Sequence, residues 1–142
     1  MYSRILGLDV GTKTVGIAVS DLLGMTAQPV ETIKIDSDSG DFGFNRLAEL
    51  IEEYKPSKIV LGLPKHMNND EGIRAEASRS YGEKISAKFG VAVEYQDERL
   101  TTMQAEKVLI DGGVRRKDRK KSIDKLAAVL ILQNYLDAHK LF

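Results

Sequence analysis

Two short apolar segments joined by a polar, glycine-containing turn occupy residues 4–21 and restrict the fold more than any other part of the chain. Each segment supplies aliphatic residues for one β-strand: Ile5, Leu6, Leu8 and Val10 for the first, and Val15, Ile17 and Val19 for the second. Residues 11–14 suit a hairpin turn, because glycine tolerates the positive φ that such turns need. The chain is therefore expected to begin with an antiparallel pair of strands.

Asp9 is the one charged residue within the first of these strands. A carboxylate in so apolar a segment costs several kcal/mol unless it is paired. Two interpretations stay open at this point. Asp9 could end the strand and accept hydrogen bonds from the turn backbone, or it could be a metal-ligating carboxylate displayed at the carboxyl end of a central strand.

The rest of the chain alternates between helix and strand patterns. Residues 25–35 suit a third antiparallel strand, in which Pro29 favours an edge position. Further strands are predicted at 58–64 and 91–96, and helices at 44–54, 73–89, from Thr101 to about Gly112, and at 123–136. The order β-β-β-α-β-α-β-α-α predicts an α/β fold: a mixed five-stranded sheet flanked by helices. Its 142 residues, 42% of them apolar, fit one domain spanning 1–142.

Composition excludes several classes of function. The 21 basic and 21 acidic residues balance, so attraction to nucleic acid must come from local clusters of charge. The absence of cysteine excludes disulfides and thiolate metal sites. No apolar segment is long enough to span a bilayer, and no secretory signal is evident, so a soluble cytoplasmic protein is expected.

Acidic residues from three parts of the chain are predicted to meet at one edge of the sheet. Asp9 ends the first strand, Asp97 and Glu98 end the last one, and Asp124 lies in the first turn of the final helix. Ligands of such sheets bind beyond the carboxyl ends of the parallel strands. Taken singly, Glu98 could instead pair with Arg99 in an exposed loop, and Asp124 could simply favour a helix N-terminus.

Converging carboxylates would repel one another and raise their own pKa values unless a cation offsets their charge. Hard oxygen ligands without cysteine or clustered histidine select Mg²⁺ or Mn²⁺. Two such ions about 4 Å apart could activate a water and stabilise the leaving oxygen of an in-line phosphodiester displacement.

Basic residues are concentrated just before the final helix: Arg115, Arg116, Lys117, Arg119, Lys120 and Lys121. They could lie along a nucleic-acid backbone, with counterion release supplying affinity, or form a flexible, solvated charge run. Other residues could contact phosphates or be solvated loop side chains: Lys13, Lys65, Asn68, Arg99 and Thr102.

Four motifs together resemble the YqgF (RuvX) family. They are Asp9-Val10-Gly11-Thr12-Lys13-Thr14-Val15-Gly16, Gly62-Leu63-Pro64, Asp97-Glu98-Arg99-Leu100-Thr101-Thr102 and Ile123-Asp124-Lys125-Leu126-Ala127-Ala128. The resemblance runs from residue 4 to the final helix. It implies a ribonuclease-H-like fold and a nuclease, one that processes the 5′ end of precursor 16S ribosomal RNA or one that resolves Holliday junctions. It also implies that Asp9, Glu98 and Asp124 are the catalytic, metal-binding acids.

Two departures from the wider ribonuclease-H-like pattern leave alternatives open. The fourth strand ends without an acid, and Ala127 and Ala128 stand where related resolvases often carry a second helical acid. One rival is therefore a non-catalytic nucleic-acid-binding factor for ribosome assembly. Another is an ATPase of the sugar-kinase or actin type, which has a similar phosphate-binding hairpin but needs two such domains. The expected partner is structured RNA or branched DNA, bound by a monomer or a homodimer.

Overall fold

A computed structural model describes residues 3–11, 13–36, 38–63, 69–97 and 116–139. The strands are β1 (Ile5–Val10), β2 (Thr14–Ser20), β3 (Ala27–Lys34), β4 (Lys58–Leu63) and β5 (Ala92–Asp97). The helices are α1 (Phe44–Tyr54), α2 (Asn69–Phe89) and α3 (Arg116–Ala138). The helix predicted to start at Thr101 lies outside the described residues, as do Lys65 and Asn68.

All five strands form one mixed sheet in the order β3-β2-β1-β4-β5. Antiparallel pairing joins β1 to β2 and β2 to β3, while β1 pairs with β4 and β4 with β5 in parallel. The tight turn after β1 is closed by a hydrogen bond of 2.8 Å from the Gly11 amide to the Thr14 carbonyl. The predicted mixed five-stranded sheet is confirmed, with β1 at its centre and the Pro29 strand at an edge.

The two faces of the sheet have different cores. Leu6, Leu8 and Val10 point to one face, where they pack with residues of α1 and α2 such as Leu47 and Ile85. Side chains of a strand alternate between faces, so Ile5, Gly7 and Asp9 point to the other face. There α3 covers the sheet with a second buried cluster: Ala18, Ala27, Val60, Ala128, Ile131, Leu132, Tyr135 and Leu136.

Helix α3 rests directly on Gly7 of the central strand. A Cβ atom built on Gly7 would stand 2.7 Å from Leu132 Cβ and 3.2 Å from the Ala128 carbonyl oxygen. Only glycine permits so close an approach, since these helix atoms occupy the space that any side chain would need. Three turns after Asp124, Tyr135 contacts Lys58, which pairs with Ile5 at the start of β1. The helix therefore runs opposite to β1, with its first turns towards the carboxyl end of that strand.

The final helix starts earlier than its apolar spacing predicts. The prediction places its first residue at Ile123, whereas α3 begins at Arg116. Lysine and arginine are good helix formers, so a basic segment can extend a helix without contributing any apolar periodicity. Among the described residues, no helix is long and apolar enough to cross a membrane.

Candidate active site

Asp9 is the penultimate residue of β1, the central strand, and it pairs with Gly16 of β2. Its neighbours Leu8 and Val10 are buried in the core beneath α1 and α2. Alternation therefore directs the partly buried Asp9 to the opposite face, the one covered by α3. This position explains how an acid is tolerated in an apolar strand, because it points away from the main core.

The backbone of Asp124 lies level with Asp9 along β1. Asp124 precedes Ala128 by one helical turn, about 6 Å along the axis, and the Ala128 carbonyl is next to Gly7. Asp9 follows Gly7 by two strand residues, or about 6.6 Å in the same direction. Helix α3 thus brings residue 124 to the carboxyl end of the central strand, although its side chain is outside the described part of the structure.

The last strand ends at the same edge of the sheet. The registers align Leu8 of β1 with Leu61 of β4, and Leu61 with Tyr95 of β5. Asp97, two residues beyond Tyr95, pairs with Leu63 at the end of β4. With β4 between them, the carboxyl ends of β1 and β5 are about 10 Å apart, two strand spacings.

Glu98, Arg99, Thr102 and Arg115 lie outside the described residues. The described side chains contain no group of three histidines or acids that could hold a metal ion. Since Glu98 and the side chain of Asp124 are not among them, the three-acid site stays a prediction.

Thr32 is a polar residue of this region that sequence reasoning missed. Gly16 pairs with Asp9 on one side and with Thr32 of β3 on the other, so the three residues form a row across the sheet. Residues paired in this way share a face. Within the described residues, the buried Thr32 hydroxyl has no hydrogen-bond partner, and the side chain that separates it from Asp9 is only the hydrogen of Gly16.

The basic cluster begins α3. The backbone of Arg116, Lys117, Arg119, Lys120 and Lys121 is helical. Arg116 is 12 residues, or about 18 Å, from Ala128, while β1 extends only about 10 Å beyond Gly7. These turns therefore reach past the sheet edge that carries Asp9. Lys13 lies exposed in the turn at that same edge.

Comparison with known proteins identifies the family. The model of the RuvX family, described as Holliday junction resolvase, matches residues 3–138. A relative from Lactococcus lactis subsp. cremoris (strain MG1363), named "Putative pre-16S rRNA nuclease", is 83% identical over 99% of both chains. One of the same name from Enterococcus faecalis (strain ATCC 700802 / V583) is 62% identical over 96% of this chain and 98% of its own.

Solved structures share the fold at low sequence identity. Thermus thermophilus RuvC, solved in complex with a Holliday junction substrate, has a TM-score of 0.61 at 18% identity and covers 96% of this chain and 95% of its own. Fowlpox virus resolvase, solved with Holliday junction DNA, has a TM-score of 0.51 at 14% identity, covering 95% and 97%. These similarities support the ribonuclease-H-like architecture, and the family model with its near-full-length relatives shows that the chain belongs to the RuvX (YqgF) family.

Proposed function

We propose that the chain is a metal-dependent endonuclease that hydrolyses phosphodiester bonds at the carboxyl end of β1. Asp9, Glu98 and Asp124 are its metal-binding acids, and the 5′ region of precursor 16S ribosomal RNA is its substrate. The observation that carries the proposal is the position of Asp9, on the α3 face of the central strand and level with residue 124 of that helix.

The local packing suits a site for a hard cation. Gly7 allows α3 to approach β1 closely at Ala128 and Leu132, and residue 124 precedes Ala128 by one helical turn. Pairing of β1 with β2 includes Asp9 and pairing with β4 extends to Leu8, so the backbone that carries Asp9 is held in the sheet. Carboxylate oxygens are the ligands that Mg²⁺ and Mn²⁺ prefer. Such an ion, when bound, would offset the charge of the acids and activate a water for attack on phosphorus.

The charge distribution suits a polyanionic substrate. The chain has no net charge, but the first turns of α3 concentrate basic residues beyond the edge where Asp9 lies. A nucleic-acid backbone bound along these turns would pass the acids, with counterion release adding affinity. Lys13, exposed in the adjacent turn, extends the basic surface on the strand side.

RNA is favoured as substrate by the names of relatives that are 62–83% identical over nearly the whole chain. Branched DNA is a second candidate, because the matching family model is described as Holliday junction resolvase. One cleavage assay distinguishes the two candidates, because the true substrate should be cut faster than the other. A precursor 16S leader RNA and a four-way DNA junction should be offered at equal concentration, with Mg²⁺ or Mn²⁺.

Asp9→Asn tests the catalytic role. We expect it to reduce cleavage at least about 100-fold, because it removes a carboxylate that would bind the metal ion, while the fold persists. Glu52→Gln is the matched control, since Glu52 is exposed on α1 across the sheet. If the Asp9→Asn variant cleaves as fast as the wild type, the proposal is refuted. Binding of either substrate without cleavage by the wild-type chain would favour the non-catalytic assembly factor.

The basic turns of α3 are tested by the salt dependence of binding. Replacing Lys117 and Lys121 with glutamine should weaken RNA binding and reduce the slope of log K against log[salt] by about 1.4–1.8, or 0.7–0.9 per phosphate contact. The control pair is Lys84→Gln with Lys88→Gln, since both lysines are exposed on α2. An equal change in slope for the two pairs would contradict a specific role for α3.

A further inference from the structure

Tyr135 ties helix α3 to two strands at the end of the sheet opposite Asp9. This tyrosine is buried, and its hydroxyl donates a hydrogen bond to the carboxylate of Glu94 on β5. It accepts another, of 3.1 Å, from the Lys58 ammonium group on β4. Lys58 and Glu94 form an ion pair of 3.1 Å with each other. One helix residue is therefore fixed relative to both parallel crossover strands.

The contacts within this cluster favour the charged forms of Glu94 and Lys58. The hydrogen bond from Tyr135, followed by that from Lys58, holds the pKa of Glu94 below its usual range. The bonds to Tyr135 and Glu94 raise the pKa of Lys58. Because Lys58 and Glu94 are partly exposed, the pair adds little to stability. What the cluster supplies is a connection from Tyr135 of α3 to Lys58 of β4 and Glu94 of β5.

Gln133 holds the other side of the same helix. Its side-chain oxygen accepts a hydrogen bond of 3.0 Å from the Ala27 amide at the start of β3. Its side-chain nitrogen donates one of 2.9 Å to the Met25 carbonyl. Gln133 and Tyr135 thus form hydrogen bonds towards opposite edges of the sheet, on either side of the contact between α3 and Gly7.

Helix geometry connects these bonds to the candidate site. Tyr135 follows Asp124 by 11 residues, which is about three turns and returns to within about 20° of the same helix face. The contact with Gly7 involves Ala128 and Leu132, which lie between them. If α3 pivots there, a sideways movement of 1 Å at Tyr135 moves residue 124 by about 1 Å the other way. Metal ligands need positions held within about 0.5 Å.

We propose that Tyr135 and Gln133 are positioning residues that fix the lateral placement of α3 and thereby hold Asp124 opposite Asp9. The inference rests on the proposed metal-dependent function. Neither residue touches the metal or the substrate; both act through the helix that carries Asp124.

The test compares Tyr135→Phe with Tyr81→Phe. Tyr81 is also buried, and its hydroxyl donates a hydrogen bond of 2.8 Å to the Phe42 carbonyl on the opposite face of the sheet. Each variant removes one buried hydroxyl and keeps its ring. Thermal unfolding and the Mn²⁺ dissociation constant, measured by calorimetry, should be determined for both variants and for Gln133→Leu.

We expect Tyr135→Phe to weaken Mn²⁺ binding about tenfold, in the range found for residues that orient metal ligands. Tyr81→Phe should leave it unchanged at a similar loss of melting temperature, and Gln133→Leu should resemble Tyr135→Phe. The effect of Tyr135→Phe should also disappear in an Asp124→Asn background, because the tyrosine acts through that residue.

The outcomes separate the two proposals. If the wild-type chain binds Mn²⁺ and the variants Tyr135→Phe and Tyr81→Phe bind it with equal affinity, the positioning role is overturned and the proposed function stands. A tenfold loss that persists in the Asp124→Asn background would also overturn it. A wild-type chain that neither binds Mn²⁺ nor cleaves nucleic acid would overturn the proposed function, and this inference with it.

Discussion

Replacing Gly7 with alanine adds a methyl group at the closest contact between the sheet and helix α3. The new Cβ atom would stand 2.7 Å from Leu132 Cβ and 3.2 Å from the Ala128 carbonyl oxygen. Carbon atoms in favourable contact are about 3.5–4.0 Å apart. Both helix atoms are fixed to the backbone, so no change of rotamer can relieve the overlap. The helix must instead move away from β1 by about 0.8 Å.

Such overpacking costs about 1–3 kcal/mol. Alanine regains part of this, about 0.5–1 kcal/mol, because it restricts the unfolded chain more than glycine does. The net cost is then about 0–2.5 kcal/mol, so at about 3 °C per kcal/mol for a chain of this size the melting temperature should fall by up to about 7 °C. Because residue 124 moves with the helix, Mn²⁺ affinity and cleavage should also decrease.

The measurement is thermal unfolding followed by circular dichroism, together with the cleavage assay. Gly40→Ala is the control, because Gly40 has a φ of +81° and nothing within 4 Å of its added Cβ. Backbone strain at such a position costs about 1–2 kcal/mol, so the control loses stability but should keep full activity. A Gly7→Ala variant as stable and active as the wild type would refute the close helix–strand contact as the basis of the site.

Three further predictions concern single features. Thr32→Val should raise the urea midpoint of unfolding, because it removes a buried hydroxyl without a partner in the described structure; a lower midpoint would show that the hydroxyl is satisfied. Asp21→Ala should lower stability at pH 7, because Asp21 accepts bonds from the Met25 amide (2.8 Å) and the Thr26 hydroxyl (3.1 Å). The bond from Met25 is the main reason that the pKa of Asp21 lies below its ordinary 3.8. The stability that the wild type gains from Asp21 should therefore be fully present above that pH and decrease as the pH falls below it. An equal difference in urea midpoint between the two proteins at pH 7 and at pH 3 would contradict this. ATP added together with Mg²⁺ should not raise the melting temperature above its value with Mg²⁺ alone, whereas an ATPase of the actin type would be stabilised further by the nucleotide.

The sheet was predictable because the side chains of a strand alternate between its two faces, and this alternation is visible in the sequence. Leu6, Leu8 and Val10 alternate with Ile5, Gly7 and Asp9, and this alternation both defines β1 and assigns Asp9 to the face opposite the main core. The opening hairpins and the later crossovers then permit few topologies. The observed strand order is among them.

The start of α3 could not be predicted in this way. Residues 116–122 contain no apolar residue whose spacing would indicate a helix. Their helical conformation continues the packed half of α3, in which Ala128 and Leu132 are fully buried. Periodicity therefore locates the part of a helix that is packed, and it misses a polar extension.

The row from Asp9 to Thr32 depends on strand register. The pairing of β2 with β3 shifts between Ile17 and Ala18, and a shift of one residue changes which side chain lies beside Gly16. No pattern in the sequence marks this irregularity. The end of β5 was predictable from its apolar pattern. The roles of Glu98, Arg99, Thr102 and Arg115, which lie outside the described residues, stay predictions.

Diffraction from crystals soaked in Mn²⁺, recorded near the manganese absorption edge, tests the central claim most directly. The account predicts an anomalous peak at the carboxyl end of β1, within bonding distance of the carboxylates of Asp9, Glu98 and Asp124, and its loss in Asp9→Asn crystals. Carboxylates that lie on separate surfaces, with no peak between them at saturating Mn²⁺, would contradict it.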